Sequence, residues 1–177
     1  MKNTEVMTIN PKVCVPDDMI YHAVSLMWDH DFGSIPVVRD LETRELVGVI
    51  TDRDVAIHVV KHANIHPSQV KVSDCMSPKV ISVLLDDPIE KTMKLMEDNK
   101  IRRIPVVDGN GSCVGIISQA DLLTNAKAIG IESIVSTLRK ISDHQDEGKE
   151  VITDITTKDE PNISEAKDDS KTKTDLK

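Results

Sequence analysis

The feature that most constrains this chain is that its central part is written twice. VMTINPKVCV, from Val6, aligns with CMSPKVISVL, from Cys75, at an offset of 69 residues. At the same offset Asp18 meets Asp87. Ile20, Val24 and Met27 meet Ile89, Met93 and Met96, and IPVV at Ile35–Val38 meets IPVV at Ile104–Val107. The offset then falls to 67, because the loop RDLETREL is two residues longer than DGNGSC. GVITDRD, Gly48 to Asp54, is thereby brought onto GIISQAD, Gly115 to Asp121. A four-residue match recurs by chance; an order of elements kept over roughly sixty residues is a duplication. Such a chain folds one small unit twice and packs the two copies together.

Each copy has the same pattern. With one Trp, one Tyr and one Phe in 177 residues, the core is left to Val, Ile, Leu, Met and Ala, and the short Val/Ile runs favour strands. In DPIE, Asp87 is expected as a helix cap, with Pro88 in the first turn and Glu90 three residues after the cap. Ile89, Met93 and Met96 then face the core of a helix ending near Asp98–Asn99. IPVV forms a buried strand, LVGVIT and CVGIIS form the next, and each of these runs into a helix. The order is strand, helix, strand, strand, helix, an α/β (α+β) unit. The expected divisions are repeat 1 over 1–63, a linker with Pro67 over 64–72, repeat 2 over 73–125 and a C-terminal helix over 126–142. In that helix Ile131, Ile134, Val135 and Leu138 share a face. Residues 143–177 hold 11 acids and 6 Lys, a net of −5 out of a total of −8. This acidic tail is expected to be disordered.

Charge and cysteine usage exclude several functions. Without its tail the chain is near balance, so it lacks the basic field of a nucleic-acid binder. Cys14, Cys75 and Cys113 are scattered, without CxxC, and point to a reducing compartment. No apolar stretch is long enough to cross a membrane, and MKNTEVMTINPKV has no apolar signal core; a cytoplasmic protein is expected. His58 and His62 share a helix face but lack the intervening acid of a HExxH site, and His66 lies beyond the helix, so no metal is expected. There is no phosphate-binding GxxxxGK[ST] loop and no nucleophile with a base partner, so no catalysis is expected.

The chemistry concentrates in GVITDRD and its counterpart. Thr51 stands where a strand gives way to a helix, and its hydroxyl and the free N–H groups there can meet a phosphate oxygen. Asp54, three residues on, can accept hydrogen bonds from both hydroxyls of a ribose. The same residues serve equally as a helix cap and a dipole partner. Asp52 and Arg53 have no charged counterparts at Gln119 and Ala120. Arg53 can reach a phosphate or pair with Asp52 or Asp54. Arg102 and Arg103, with Lys100, stand just before the second IPVV, where copy one has Gly33 and Ser34.

The paired Met7-Thr8 and Met76-Ser77, both IPVV strands and both Gly-apolar-apolar-Thr/Ser-x-x-Asp endings resemble the cystathionine-beta-synthase (CBS) domain family. The resemblance is to a tandem pair with little else attached, and it covers about Val6 to Leu123. It implies two βαββα repeats packed with pseudo-twofold symmetry, pairs that associate into disc-like homodimers, and adenine nucleotides bound in clefts between repeats. It places Thr51 and Asp54 in one cleft, and Ser118 and Asp121 in the other, with the hydroxyl on phosphate and the acid on ribose. Arg102 and Arg103, before the strand, then either touch the polyphosphate or form a salt-bridged surface. The adenine wall is expected from Val13 and Val15 in copy one, and from Val80 and Ile81 in copy two. The resemblance implies AMP, ADP or ATP as ligand, no catalytic cofactor, and regulation of an unknown protein partner. The alternative is a structural module for dimerisation and protein interaction. Because only copy one carries Asp52 and Arg53, the two clefts are expected to differ in affinity.

Overall fold

The structure is a computed structural model that describes residues 1–62 and 64–143. Repeat 1 runs through β1 (Thr8–Ile9), α1 (Ile20–His30), β2 (Ser34–Val38), β3 (Leu46–Thr51) and α2 (Asp52–Lys61). A 3-10 turn at Pro67–Gln69 and the one-turn helix α3 (Val72–Cys75) lead into repeat 2. That repeat contains β4 (Val83–Leu84), α4 (Ile89–Asn99), β5 (Arg103–Val107), β6 (Cys113–Ser118) and α5 (Gln119–Thr124). α6 (Ala126–Ile129) and α7 (Ile131–Ser142) follow. The acidic tail from His144 onward lies outside the described residues.

The duplication is carried into hydrogen-bond register. β2 pairs antiparallel with β3, Ser34 opposite Thr51, and β5 pairs antiparallel with β6, Arg103 opposite Ser118. Each hairpin has a register shift at the same place, Val37/Val38 and Val106/Val107. α1 and α4 both stop at a residue in the left-handed region, Asp31 and Lys100, each with φ 54°. β6 alternates strictly, with Cys113, Gly115 and Ile117 buried and Val114, Ile116 and Ser118 on the other face. Each repeat keeps its own apolar core: Ile20, Ala23, Met27, Ile35 and Ile50 in the first, Ile89, Met93, Met96, Ile104 and Ile117 in the second.

The expected α/β pair of βαββα units is what forms, with differences in detail. The first strand of repeat 1 shrinks to one residue, Cys14, bridged in parallel to Val37, whereas repeat 2 keeps β4. Asp87 does not cap α4: the cap position is Pro88. The Asp87 carboxylate instead holds the loop, accepting from the Leu84 N–H at 2.9 Å and the Lys91 ammonium at 2.8 Å. The C-terminal segment is two helices, because Gly130 turns the chain at φ 109°, a conformation open to glycine and strained for other residues. α7 buries Ile134, Thr137 and Ile141, while Ile131 and Val135 stay exposed.

The largest departure is an exchange of entry segments between the repeats. β1 pairs with β6 of repeat 2, and Ser77 forms the reciprocal bridge to Val49 of repeat 1. Val6 lies in the repeat 2 core, and Val70 and Val72, from the expected linker, lie in the repeat 1 core. Two glycines permit the exchange. A Cβ on Gly115 would strike the Met7 side chain, and one on Gly48 would sit 2.8 Å from the Met76 sulfur. Arg44 ties the halves again, donating to the carbonyls of Cys113 at 3.0 Å and Pro11 at 2.9 Å.

Candidate nucleotide-binding clefts

The two strand–helix junctions have the same local geometry. A helix begins with unpaired N–H groups, so a hydroxyl-bearing residue at its cap position is stabilising. Thr51 caps α2: its hydroxyl accepts from the Asp54 N–H at 3.1 Å. Asp54 Oδ2 in turn accepts from the Thr51 N–H at 3.0 Å and the Thr51 hydroxyl at 2.7 Å. Ser118 and Asp121 build the same box at α5, with Asp121 Oδ2 accepting at 2.7 Å from the N–H and 2.5 Å from the hydroxyl. Each pair is therefore fixed as a half-buried hydroxyl–carboxylate unit at the end of a strand.

The surroundings of the two pairs differ. Ser118 and Asp121 line a cavity of about 200 Å³ to which both repeats contribute. Repeat 2 supplies these two residues with Arg103 and Ile116; repeat 1 supplies Thr8, Lys12, Phe32, Ser34 and Pro36. The exchanged β1 brings Thr8 there, and its hydroxyl donates to Asp121 Oδ1 at 3.1 Å. Two cations, Lys12 and Arg103, thus line the same cavity as the Asp121 carboxylate. The duplicate of Lys12 is the neutral Ile81, whereas Ser34 and Arg103 are duplicates of each other and both line this cavity.

Arg102 is exposed and takes no part in this lining; its carbonyl accepts from the Gln119 N–H at 3.1 Å. Arg53 is exposed and makes no ion pair among the described residues. Asp52 faces a groove of about 680 Å³ between α1 and α2, with Val24, Met27 and Trp28. Val13, Val15, Val80 and Ile81 are half-buried and outside the Ser118 cavity. Val13 and Val15 flank the buried Cys14, so alternation turns them away from the core that Cys14 enters. Ile81 packs against the core of repeat 2. Lys12 and Thr8 were not among the expected contacts. The sequence signal for them was the Met-Thr pair, whose destination in the other repeat only the exchange reveals.

Two βαββα units with exchanged entry segments, and a polar cavity at the Ser118–Asp121 junction, define a paired-repeat module. The family model for the CBS domain matches residues 4–61 and 72–127. This chain belongs to the CBS-domain family, as a tandem pair, a regulatory rather than catalytic fold class. It is 37% identical over 141 residues to the CBS domain-containing protein YhcV of Bacillus subtilis, covering 80% of this chain and 94% of that one. It is 40% identical over 97 residues to the uncharacterized protein MK0525 of Methanopyrus kandleri, covering 55% of this chain and 48% of that protein. Among solved structures, CBSX2 in complex with AMP aligns with TM-score 0.61 and 27% identity, covering 72% of this chain and 97% of that one; CBSX2 is from Arabidopsis thaliana. Among the described residues no helix is long and apolar enough to cross a membrane.

Proposed function

We propose that this chain is an energy-sensing regulatory module that takes an adenine nucleotide, AMP, ADP or ATP, in the cleft at Ser118 and Asp121. The observation that carries this reading is the pairing of Lys12 and Arg103 beside the Ser118–Asp121 unit in a cavity both repeats line. Asp121 receives the ribose hydroxyls once Thr8 gives way, while Ser118, Lys12 and Arg103 receive phosphate oxygens. The similar protein CBSX2 was solved with AMP, which supports the same ligand class here. At about 200 Å³ the cavity is smaller than most cofactor pockets, so the nucleotide must part the repeats as it enters. A ligand that fits only the parted arrangement shifts the pair toward it, and a protein partner reads the change. The Thr51–Asp54 side, with Ile81 in place of Lys12, has one cation fewer and binds phosphate more weakly.

Calorimetric titration of the full chain with AMP, ADP and ATP tests this. Asp121→Ala and Arg103→Ala should each weaken binding by about tenfold or more, as expected for a lost charged hydrogen bond, while Asp54→Ala leaves it nearly unchanged. Absence of heat and of thermal shift at millimolar nucleotide would refute the reading.

The same reading includes a homodimer, and the duplication supports a specific face for it. In repeat 2, α7 covers α4, leaving Met93 3% and Glu97 8% exposed. The equivalent residues of α1, Val24 and Trp28, are 42% and 86% exposed. Tyr21 on α1 and Ile57 and Val60 on α2 are exposed as well, and Val55 and Ala56 of α2 line the groove with Val24 and Trp28. Tyr21 and Trp28 alone present on the order of 300 Å², and a stable interface takes roughly 800 Å² per partner. The acidic tail is a poor cover, because Asp31 and Asp52 line the groove. A second copy, laying the same face against this one, fits better and brings Arg53 and Lys61 toward those acids.

A further inference from the structure

We infer that repeat 1 holds a zinc-class divalent cation between Cys14, Asp18 and His22, a site with no counterpart in repeat 2. One ligand atom from each residue, the Cys14 sulfur, an Asp18 carboxylate oxygen and a His22 ring nitrogen, lies within 4.8 Å of the other two. Cys14 comes from the chain bridged to β2, Asp18 from the loop after it, and His22 from the first turn of α1. Bringing three donors to zinc bond lengths of about 2.0–2.3 Å takes shifts on the order of 1 Å, and leaves a fourth tetrahedral position for water.

The duplicate serves as an internal control. Asp18 and Asp87 hold their loops in the same way, Asp18 Oδ2 accepting from the Val15 N–H and Asp87 Oδ2 from the Leu84 N–H, both at 2.9 Å. That shared hydrogen bond explains the acids but not their neighbours. Around Asp87, the equivalent positions carry Val83 and Lys91, and the Lys91 ammonium neutralises the carboxylate at 2.8 Å. Around Asp18 they carry Cys14 and His22, and no Lys or Arg pairs with Asp18 among the described residues. Repeat 1 has thus replaced a methyl-bearing wall and a built-in cation with a thiol and an imidazole. These are the two side chains that select zinc over harder cations. Without metal the Cys14 thiol is protonated, pushed up to about 12 by burial and then by the Asp18 charge. A bound dication reverses both effects and displaces the proton.

The site sits where repeat 1 grips the segment leading to repeat 2. The Asp18 carbonyl accepts from the Val72 N–H at 2.7 Å, and the Ile20 N–H donates to the Val70 carbonyl at 3.0 Å. Metal occupancy therefore stiffens the junction through which the repeats are joined.

The test is titration of the full-length reduced protein with Co²⁺, followed by displacement with Zn²⁺. One equivalent of Co²⁺ should give a thiolate-to-cobalt absorption band together with the intense visible bands of a tetrahedral ion, both lost on adding Zn²⁺. Cys14→Val and His22→Lys install the residues that repeat 2 already tolerates, so both variants should fold. Each should lose the thiolate band or the tetrahedral spectrum, and weaken Zn²⁺ binding on the order of a hundredfold. No thiolate band at one equivalent, or unchanged binding in the Cys14→Val/His22→Lys protein, would overturn the assignment.

Discussion

Thr51 and Ser118 separate structural from binding chemistry at equivalent positions. Both cap a helix with the same reciprocal hydrogen bonds to an acid three residues on. Thr51→Ala and Ser118→Ala should therefore each lower unfolding stability by about 1 kcal/mol, measured by denaturant titration. Their effects on nucleotide should diverge: Ser118→Ala weakens binding by about tenfold, and Thr51→Ala leaves it nearly unchanged. Equal losses in calorimetry would place the ligand in both clefts. At this scale the capping role of the Thr/Ser-x-x-Asp signature was legible, because a cap asks for these residues at this spacing. Arg103 was named from its place before IPVV, and it lines the Ser118 cavity. Lys12 was not, since nothing local shows that the chain before repeat 1 crosses to repeat 2. Arg53, expected to reach a phosphate or to pair with an acid, is exposed and forms no ion pair among the described residues.

Among the elements, α7 shows what periodicity finds and what it misses. Ile134 and Leu138 were legible as a core-facing stripe, but Ile131 and Val135 were assigned to the same face and are exposed. The helix restarts at Gly130, so the stripe turns toward Ile134, Thr137 and Ile141. The polar part of its contact leaves no periodic trace. Glu97 on α4, 8% exposed, accepts from the Thr137 hydroxyl at 2.6 Å and the Lys140 ammonium at 3.0 Å. Burial pushes the Glu97 carboxyl up, but the Thr137 and Lys140 hydrogen bonds and the Lys140 charge outweigh it, and the group is held below its ordinary 4.5. A carboxyl depressed on folding stabilises above its unfolded value, and that stability is lost as pH falls through the folded one. Stability should therefore decline as pH drops below about 4.5. Glu97→Gln should start lower at neutral pH and show a shallower acid decline, seen by thermal unfolding across pH. A parallel decline in both proteins would mean that Glu97 does not lock α7.

For the whole molecule, the duplication and its violations decide where sites and surfaces fall. The exchange of entry segments makes the Ser118–Asp121 cavity a property of both repeats. It also explains why part of the expected linker is core: Val70 and Val72 do for repeat 1 what the chain before β1 does for repeat 2. The fold class was legible because register and burial are periodic in the sequence. The exchange was legible only afterwards, in the Met7–Gly115 and Met76–Gly48 contacts. The same symmetry bears on the proposed assembly. A closed disc needs a free helical face on both repeats, yet α7 occupies that face on repeat 2, and repeat 1 leaves Trp28 bare. The expected homodimer is then one-sided, joined through α1 and α2 alone. Trp28→Glu or Ala56→Glu puts a charge into the groove of that face at an exposed position, and each should convert the dimer to a folded monomer in sedimentation velocity. Deleting the tail from residue 144 onward should leave the dimer intact, because the tail's charge matches that of the groove acids. A monomer in the unmodified protein at micromolar concentration, or a dimer that survives both charged substitutions, would show that this face is covered by something other than a second copy.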